Sequence, residues 1–484
     1  MNRFLILTIA ATLFGCSDGF VSSNKIAGSL SCEMPARESK SENISEMSVN
    51  NSEDISTYQN FIVKFKDENK SQNEDKTSAA LQPSGNAVRV FNVKGVTFKV
   101  LAQNTHTLSL DMPAEDRRKY IQDLRSDQSI EYIEPDYPIQ AIDTLSEDDI
   151  TAETNDPYFS KQWMHQNVQT EKAWTITTGS KNIVVAVLDS GIDYTHKDLK
   201  NNMWINPQEK INGIDDDNNG YIDDVYGWNF VSNNANPKTT SKSNHGSHVA
   251  GIIGATGSNN TGVVGMAPNV RMMALRFIGD TGTGSTSGAI RGIDYAISKH
   301  VFAINNSWGS SGTSRSLGDA ISRAEKAGIL FLVAAGNGSN HIGFNIDRTP
   351  WYPASYSNSN VISVAASKTD DNLTAFSNFG LSKVDVAAPG AQILSTISNQ
   401  AYQNMSGTSM ATPLVTGLAV LVKAANPKLT YKQVIQVIRQ SVDKKASLTN
   451  KVASGGRVNA YKAVKLAADN LGAKSDSQLE TPCP

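Results

Sequence analysis

Ile183-Val184-Val185-Ala186-Val187-Leu188, closed by Asp189-Ser190-Gly191, sets the architecture of this chain. The run is too short and too β-branched for a free helix. Its unbroken apolar character is that of a central strand in a parallel sheet covered on both faces. Asp189 therefore stands at the carboxyl end of a strand, the edge where open α/β sheets bind their ligands. Outward from it, strand-like runs alternate with helix-like ones: His248 to Thr256, Arg271 to Phe277, Thr286 to Lys299, Ala303 to Asn306, Leu317 to Lys326, Leu330 to Ala334 and Val361 to Ala365. Such alternation predicts an α/β fold with a mainly parallel sheet flanked by helices. Tyr431 to Asp443 and Val458 to Asp469 read as closing helices.

Residues 407 to 411 read G-T-S-M-A and lead through Thr412 and Pro413 into an apolar run to Val422, so Ser409 sits at a loop-to-helix junction. Gly407 leaves room for a substrate backbone, and the N–H groups that open the helix favour a developing negative charge. A serine hydroxyl is a poor nucleophile without a general base and a group to orient that base. His245, in N-H-G-S-H-V-A-G, is the candidate base, with His248 the competing histidine, and Asp189 is the candidate orienter. Asn337 ends Val333-Ala334-Ala335-Gly336-Asn337 and offers a side-chain amide to an oxyanion.

D-S-G-I-D, H-G-S-H-V-A-G, A-A-G-N and G-T-S-M-A-T-P, in that order, resemble the subtilase family of serine endopeptidases, over residues from about 58 to 470. The resemblance implies a subtilisin-like three-layer fold. Ser409 would attack the scissile carbonyl, His245 rather than His248 would carry the proton, and Asp189 would hold the imidazole. Asn337 and the Ser409 backbone N–H would bind the oxyanion. It also implies that Gly282-Thr283-Gly284 and Ser307-Trp308-Gly309 pair with an extended protein or peptide substrate. Trp351, in Trp351-Tyr352-Pro353, would lie near the floor of the main pocket; pointing inward, it would favour small or medium side chains before the cut.

Calcium is the cofactor this resemblance implies. Asp156, Asp198 and Asn259 match the side-chain ligands of the strong site in thermitase-like subtilases, with backbone carbonyls of the 256 to 263 loop beside them, all hard oxygen donors. The acidic run Asp215 to Asp224 opens as D-x-D-x-N-G, like an EF-hand loop without its final glutamate. It offers Asp215, Asp217, Asn219 and Asp224, carboxylates whose mutual repulsion calls for a cation.

The first fifteen residues have a modest positive start at Arg3 and an apolar stretch too short for a permanent span, the pattern of a targeting segment. Leu13-Phe14-Gly15-Cys16 resembles a bacterial lipoprotein box, so an outer-membrane lipid anchor on Cys16 and ordinary secretion are the two expectations, both extracytoplasmic. Cys32 and Cys483 either form one disulfide or stay unpaired. Residues 16–57 are expected to act as a disordered tether, residues 33 to 57 being rich in Ser, Glu and Asn.

From Tyr58 a β-hairpin-α-β pattern follows: Phe61 to Phe65, a hairpin from Val88 to Val100 around Lys94-Gly95, a helix from Glu115 to Leu124, and Ile130 to Asp136. With its Y-I-E-P-D ending it resembles the subtilase inhibitory propeptide, the alternative being a generic small α+β domain. The resemblance divides the chain into a propeptide at 58–140, a processing linker at 141–155, a peptidase domain at 156–470 and a tail at 471–484, with the processed bond left open between about Gln140 and Asn155.

The 484 residues, 39% hydrophobic, support a sizeable core, and a formal charge of -3 with no basic tract interleaved with aromatics predicts no nucleic-acid partner. A monomer is expected, in contact with a membrane only through a lipid. A lipase elbow needs G-x-S-x-G, and Ala411 stands at the last position. A surface binding module that keeps the fold without turnover is the remaining rival.

Overall fold

The computed structural model describes residues 54–66, 90–93, 96–102, 104–142, 144–149 and 156–469. The targeting segment, the tether, Lys94-Gly95, Cys16, Cys32, Cys483 and the tail at 471–484 lie outside the described residues.

The N-terminal unit is an antiparallel sheet of five strands: β1 (Asn60–Phe65), β2 (Val90–Val93), β3 (Val96–Ala102), β4 (Thr105–Ser109) and β5 (Ile130–Pro135), in the order β2-β3-β4-β1-β5. Helix α1 (Ala114–Arg125) covers it, with Glu115 and Asp116 in its first turn and Arg125 in its last, each sign matching the helix dipole. Phe61, Val63, Phe98, Leu108, Ile121, Leu124 and Ile133 form its core. Two further strands follow, β6 (Pro138–Ala141) and β7 (Thr144–Asp149), in a stretch whose sequence carries no strand signal.

Beyond the short helices α2 (Trp163–Asn167) and α3 (Thr170–Trp174), the main sheet is built from β8 (Gly179–Asp189), β9 (Gly227–Asn229), β10 (Asn269–Arg276), β12 (Ala303–Asn306), β14 (Leu330–Ala334), β15 (Val361–Ser367), β16 (Val386–Pro389), β19 (Asp443–Lys444) and β20 (Gly456–Arg457). Its order is β19-β20-β16-β15-β14-β12-β8-β10-β9, parallel except for the β19–β20 pair. β8 lies between β10 and β12, so Asp189 stands where the strand order reverses. Along β8, Val185 and Val187 pack to one face with α4 (His245–Gly254) and α7 (Thr408–Ala425). Ala186 and Leu188 pack to the other face with α5 (Thr286–Ser298) and α6 (Arg315–Lys326). Burial on both faces is why the sequence run shows no polar alternation. The result is the three-layer α/β arrangement expected from the sequence.

Two small sheets surround the cleft. β11 (Thr283–Ser285), β6 and β13 (Trp308–Gly309) form one, and β17 (Ile393–Thr396), β18 (Tyr402–Ser406) and β7 form the other. The closing helices are α8 (Tyr431–Gln440) and α9 (Ala460–Asp469), shorter than the sequence reading. α8 stops before Asp443 because that residue enters β19 and pairs with Arg457 (3.1 Å) and Lys462 (2.7 Å). α9 starts after Val458 because the Asn459 side chain accepts the Lys462 N–H (3.0 Å), as a helix cap does.

α7 is long and apolar enough to cross a membrane, yet 83% of that window is buried inside the protein, so it is a core helix.

Candidate active site

Asp189 ends β8 fully buried, and its Oδ1 accepts the Ser190 N–H and faces His245 Nδ1, both at 2.7 Å. A carboxylate only accepts, so the imidazole proton lies on Nδ1 and Nε2 is the basic nitrogen. His245 is the first residue of α4, and the helix starts close against the β8 turn: a Cβ on Gly246 would lie 2.3 Å from the Gly191 carbonyl oxygen. Glycine is required there for the approach itself. His248 lies one turn along, fully buried, with Nε2 against the Gln403 carbonyl (2.9 Å); burial holds it down at about 3, which leaves it neutral and structural.

Ser409 sits in the first turn of α7. Its hydroxyl donates to the Ser307 carbonyl (3.0 Å), where the sequence reading expected His245 as acceptor, and the Ser307 hydroxyl donates back to the Ser409 carbonyl (3.0 Å). The second bond has a covalent cause: the residue four beyond Ser409 is Pro413, which has no N–H to offer that carbonyl. Asn337 leaves β14 beside this turn. Its Oδ1 accepts both the Thr408 N–H and the Thr408 hydroxyl at 2.9 Å. Because a backbone N–H only donates, the amide orientation is determined, and Nδ2 is left buried without a partner among the described residues.

The residues expected to bind substrate flank one groove. β6 fills it as the middle strand, antiparallel to both neighbours: Thr283, Gly284 and Ser285 face Gln140, Ile139 and Pro138, while Trp308 and Gly309 face Ala141 and Gln140. The Ala141 N–H donates to the Gly282 carbonyl (3.0 Å). Trp308 contributes backbone only, its ring buried edge-on to Phe277 and its indole N–H donating to the Leu188 carbonyl (2.9 Å). The Trp351 indole lies close against two glycines: a Cβ on Gly309 or Gly336 would meet its Nε1 at 2.4 or 2.8 Å.

The N-terminal unit is fixed beside this groove through the two acids of Y-I-E-P-D. Glu134 accepts from the Ser314 hydroxyl (2.8 Å), the Arg315 N–H (2.9 Å) and the Ser316 N–H (3.1 Å) at the start of α6; Asp136 accepts the Ser287 N–H (2.8 Å) and hydroxyl (2.6 Å) at the start of α5. Anions at two helix N-termini are favoured by both free N–H groups and the dipoles. Burial pushes both carboxyls above their usual range.

Asp156, Asp198 and Asn259 come together. Asp156 accepts the Asn259 N–H (3.1 Å), and Asp198 accepts from Asn259 Nδ2 (2.8 Å), the Val263 N–H (3.0 Å) and the Tyr402 hydroxyl (2.9 Å). Burial pushes the Asp198 carboxyl up to about 6, with the Asp156 charge adding to it. In the acidic loop the grouping differs from the sequence reading. Asp215 is taken up by the turn, accepting the Asn219 and Gly220 N–H groups (3.0 and 2.8 Å), and Asn219 donates Nδ2 to Asp224 (2.8 Å). Glu209, outside the motif window and missed for that reason, instead joins Asp217 and Asp224, with oxygens within 4.8 Å of one another.

Residues 180–461 match the model of the subtilase family, Peptidase_S8. The chain is 39% identical over 331 residues to subtilisin-like protease 1 of Plasmodium berghei, covering 65% of this chain and 55% of that one. It is 37% identical to a thermophilic serine proteinase of a Bacillus species, covering 70% and 74%. To thermitase of Thermoactinomyces vulgaris it is 36% identical, covering 64% of this chain and 99% of that one. It spans about half the length of the Plasmodium relatives. With more than half of the chain inside the family model and nearly all of thermitase covered, the chain belongs to the subtilase family.

Proposed function

We propose that this protein is an extracytoplasmic serine endopeptidase, made as a zymogen whose N-terminal unit blocks the cleft as an inhibitory propeptide. The observation that carries the reading is the 2.7 Å contact between Asp189 and His245 Nδ1 at the sheet edge where Ser409 and Asn337 also gather. In the reaction the Ser409 hydroxyl turns from Ser307 to His245 Nε2, which takes its proton as oxygen attacks the peptide carbonyl. Asp189 holds the tautomer and stabilises the imidazolium. Asn337 Nδ2 and the Ser409 N–H receive the oxyanion. His245 then gives the proton to the departing amine, and water repeats the sequence on the acyl enzyme.

Occupation of the groove by β6 supports the inhibitory role, because a substrate strand and β6 would compete for the same backbone groups of β11 and β13. The test is hydrolysis of casein by the purified protein, with a serine-directed phosphonylating reagent added in parallel. Turnover that stops when one phosphonyl group attaches to Ser409 is the expected result. A folded protein that neither cleaves casein nor takes up the reagent would be a binding module instead.

Calcium fits the site formed by Asp156, Asp198 and Asn259. A fully buried carboxyl with a raised affinity for protons, beside a second carboxylate and an amide, is a donor set that a hard divalent cation would relieve. Bound there, Ca²⁺ would neutralise the two acids and tie the 256 to 263 loop to the start of the peptidase domain. At the second cluster Glu209 Oε2 and Asp217 Oδ1 lack partners among the described residues, while Lys299 already lies 2.5 Å from Asp217. A cation is therefore assigned first to the Asp198 site. Removing calcium with a chelator is expected to lower the melting temperature by roughly 5 °C, the scale for losing a ligand held at about 100 times its dissociation constant. The Asp198→Asn variant should melt low with or without chelator.

A further inference from the structure

Resting on the peptidase reading above, we infer that the first bond this protein cuts is its own, on the carboxyl side of Ile142, and that its preferred substrates carry branched aliphatic side chains at the positions of Ile139 and Ile142. The strand register carries the argument. In the antiparallel pairing of β6 with β13, Gln140 faces Gly309 and Ala141 faces Trp308, so the next step along the ladder sets Ile142 opposite Ser307. Ser307 is the residue whose carbonyl accepts the Ser409 hydroxyl at 3.0 Å. Ile142 is thus brought beside the nucleophile.

The approach from the other side agrees. β7 runs antiparallel to β18, with Thr144 opposite Ser406, three residues before Ser409. One polypeptide is therefore paired to the enzyme on both flanks of the nucleophile, and the peptide group between those flanks follows Ile142. A segment that merely covered the cleft would have no reason to hold register with β11 and β13 ahead of Ser409 and with β18 beyond it.

Side-chain placement defines the substrate class. Ile139 is 1% exposed, in the same apolar cluster as Phe277, Ile290 and Trp308, and Ile142 is 7% exposed. Between them Gln140 faces solvent and Ala141 is half-buried. The indole of Trp351 lies close against Gly309, the residue opposite Gln140, and a ring held there would favour a four-carbon aliphatic beside this strand over a second ring.

In the cut itself a bond forms between Ser409 Oγ and the Ile142 carbonyl carbon, and the carbon–nitrogen bond to the next residue breaks. The serine proton passes through His245 to that nitrogen. Water then adds its hydroxyl to the acyl carbon, the bond from that carbon to Ser409 Oγ breaks, and the water's proton returns through His245 to the serine, leaving a carboxylate on Ile142 and a new amino terminus.

The experiment follows newly folded protein by intact-mass measurement and N-terminal sequencing over the earliest time points, with the Ser409→Ala chain as the uncut control. The expected first products end at Ile142 and begin at the next residue, at a rate independent of protein concentration. A synthetic peptide spanning residues 136–149, given to the mature enzyme, should be cut after Ile142 and at least about tenfold more slowly when it carries Ile142→Asp, because the pocket would have to bury a charge. A first cut at any other bond, or an unchanged rate with the aspartate peptide, overturns the inference. If casein is hydrolysed while the first self-cut lies elsewhere, this inference alone falls; if neither casein nor the chain is cut, the peptidase reading falls with it.

Discussion

Ser409→Ala is expected to lower peptide turnover by about 10⁶-fold, the scale known for loss of the nucleophile from a subtilisin triad. The fold should survive the change. The Ser409 carbonyl that accepts the Ser307 hydroxyl belongs to the backbone, and the side chain is fully buried and small, so little packing is lost. What disappears is the hydroxyl that donates to the Ser307 carbonyl. Once a second protease has removed the N-terminal unit that this variant cannot cut, activity should fall to the background supplied by Asn337 and by strand pairing, with the melting temperature nearly unchanged. Stopped assays on a chromogenic peptide together with a thermal scan check both parts. More than about 1% residual turnover would remove Ser409 from the chemistry.

Asn337→Ala should reduce kcat by about 10²–10³ with KM nearly unchanged, again the range known for the oxyanion asparagine of a subtilisin. The structure adds a complication and a control. Asn337 Oδ1 also serves the Thr408 N–H and hydroxyl, so alanine strands two donors and should cost about 1–2 kcal/mol of stability. Asn337→Asp keeps an acceptor for Thr408 while losing both Nδ2 hydrogens. It should therefore recover stability without recovering kcat. Recovery of both would mean that Asn337 acts only by holding the turn.

The parts of the molecule legible in the sequence are those where local chemistry and global burial agree. The β8 run announced a strand covered on two faces because its alternate residues face two different cores. Asp189 and Asn337 were legible because each follows an apolar strand, and His245 and Ser409 because each opens an apolar helix. β6 and β7 were not. Pro138 to Ala141 is too short for a pattern, and Thr144 to Asp149 is acidic and poor in strand formers; they become strands because β11, β13 and β18 offer backbone partners. The mutual bonds of Ser307 and Ser409 join residues 102 positions apart, a separation at which neither sequence context mentions the other. Glu209 escaped notice because a motif of fixed length excludes an acid supplied from upstream. The folded loop gathers it with Asp217 and Asp224.

The nine-stranded sheet has a consequence for endurance. All its pairings but that of β19 with β20 are parallel and join stretches of chain far apart in sequence, so loop-closure entropy must be met before such contacts can form, and the barrier to assembly is high. At a given stability, where the ratio of folding to unfolding rates is fixed, slow assembly means equally slowed dismantling. If folded copies cleave unfolded ones, as the proposed activity implies, lifetime is governed by how seldom the sheet opens, and a half-life at fixed temperature then describes this molecule better than an equilibrium constant.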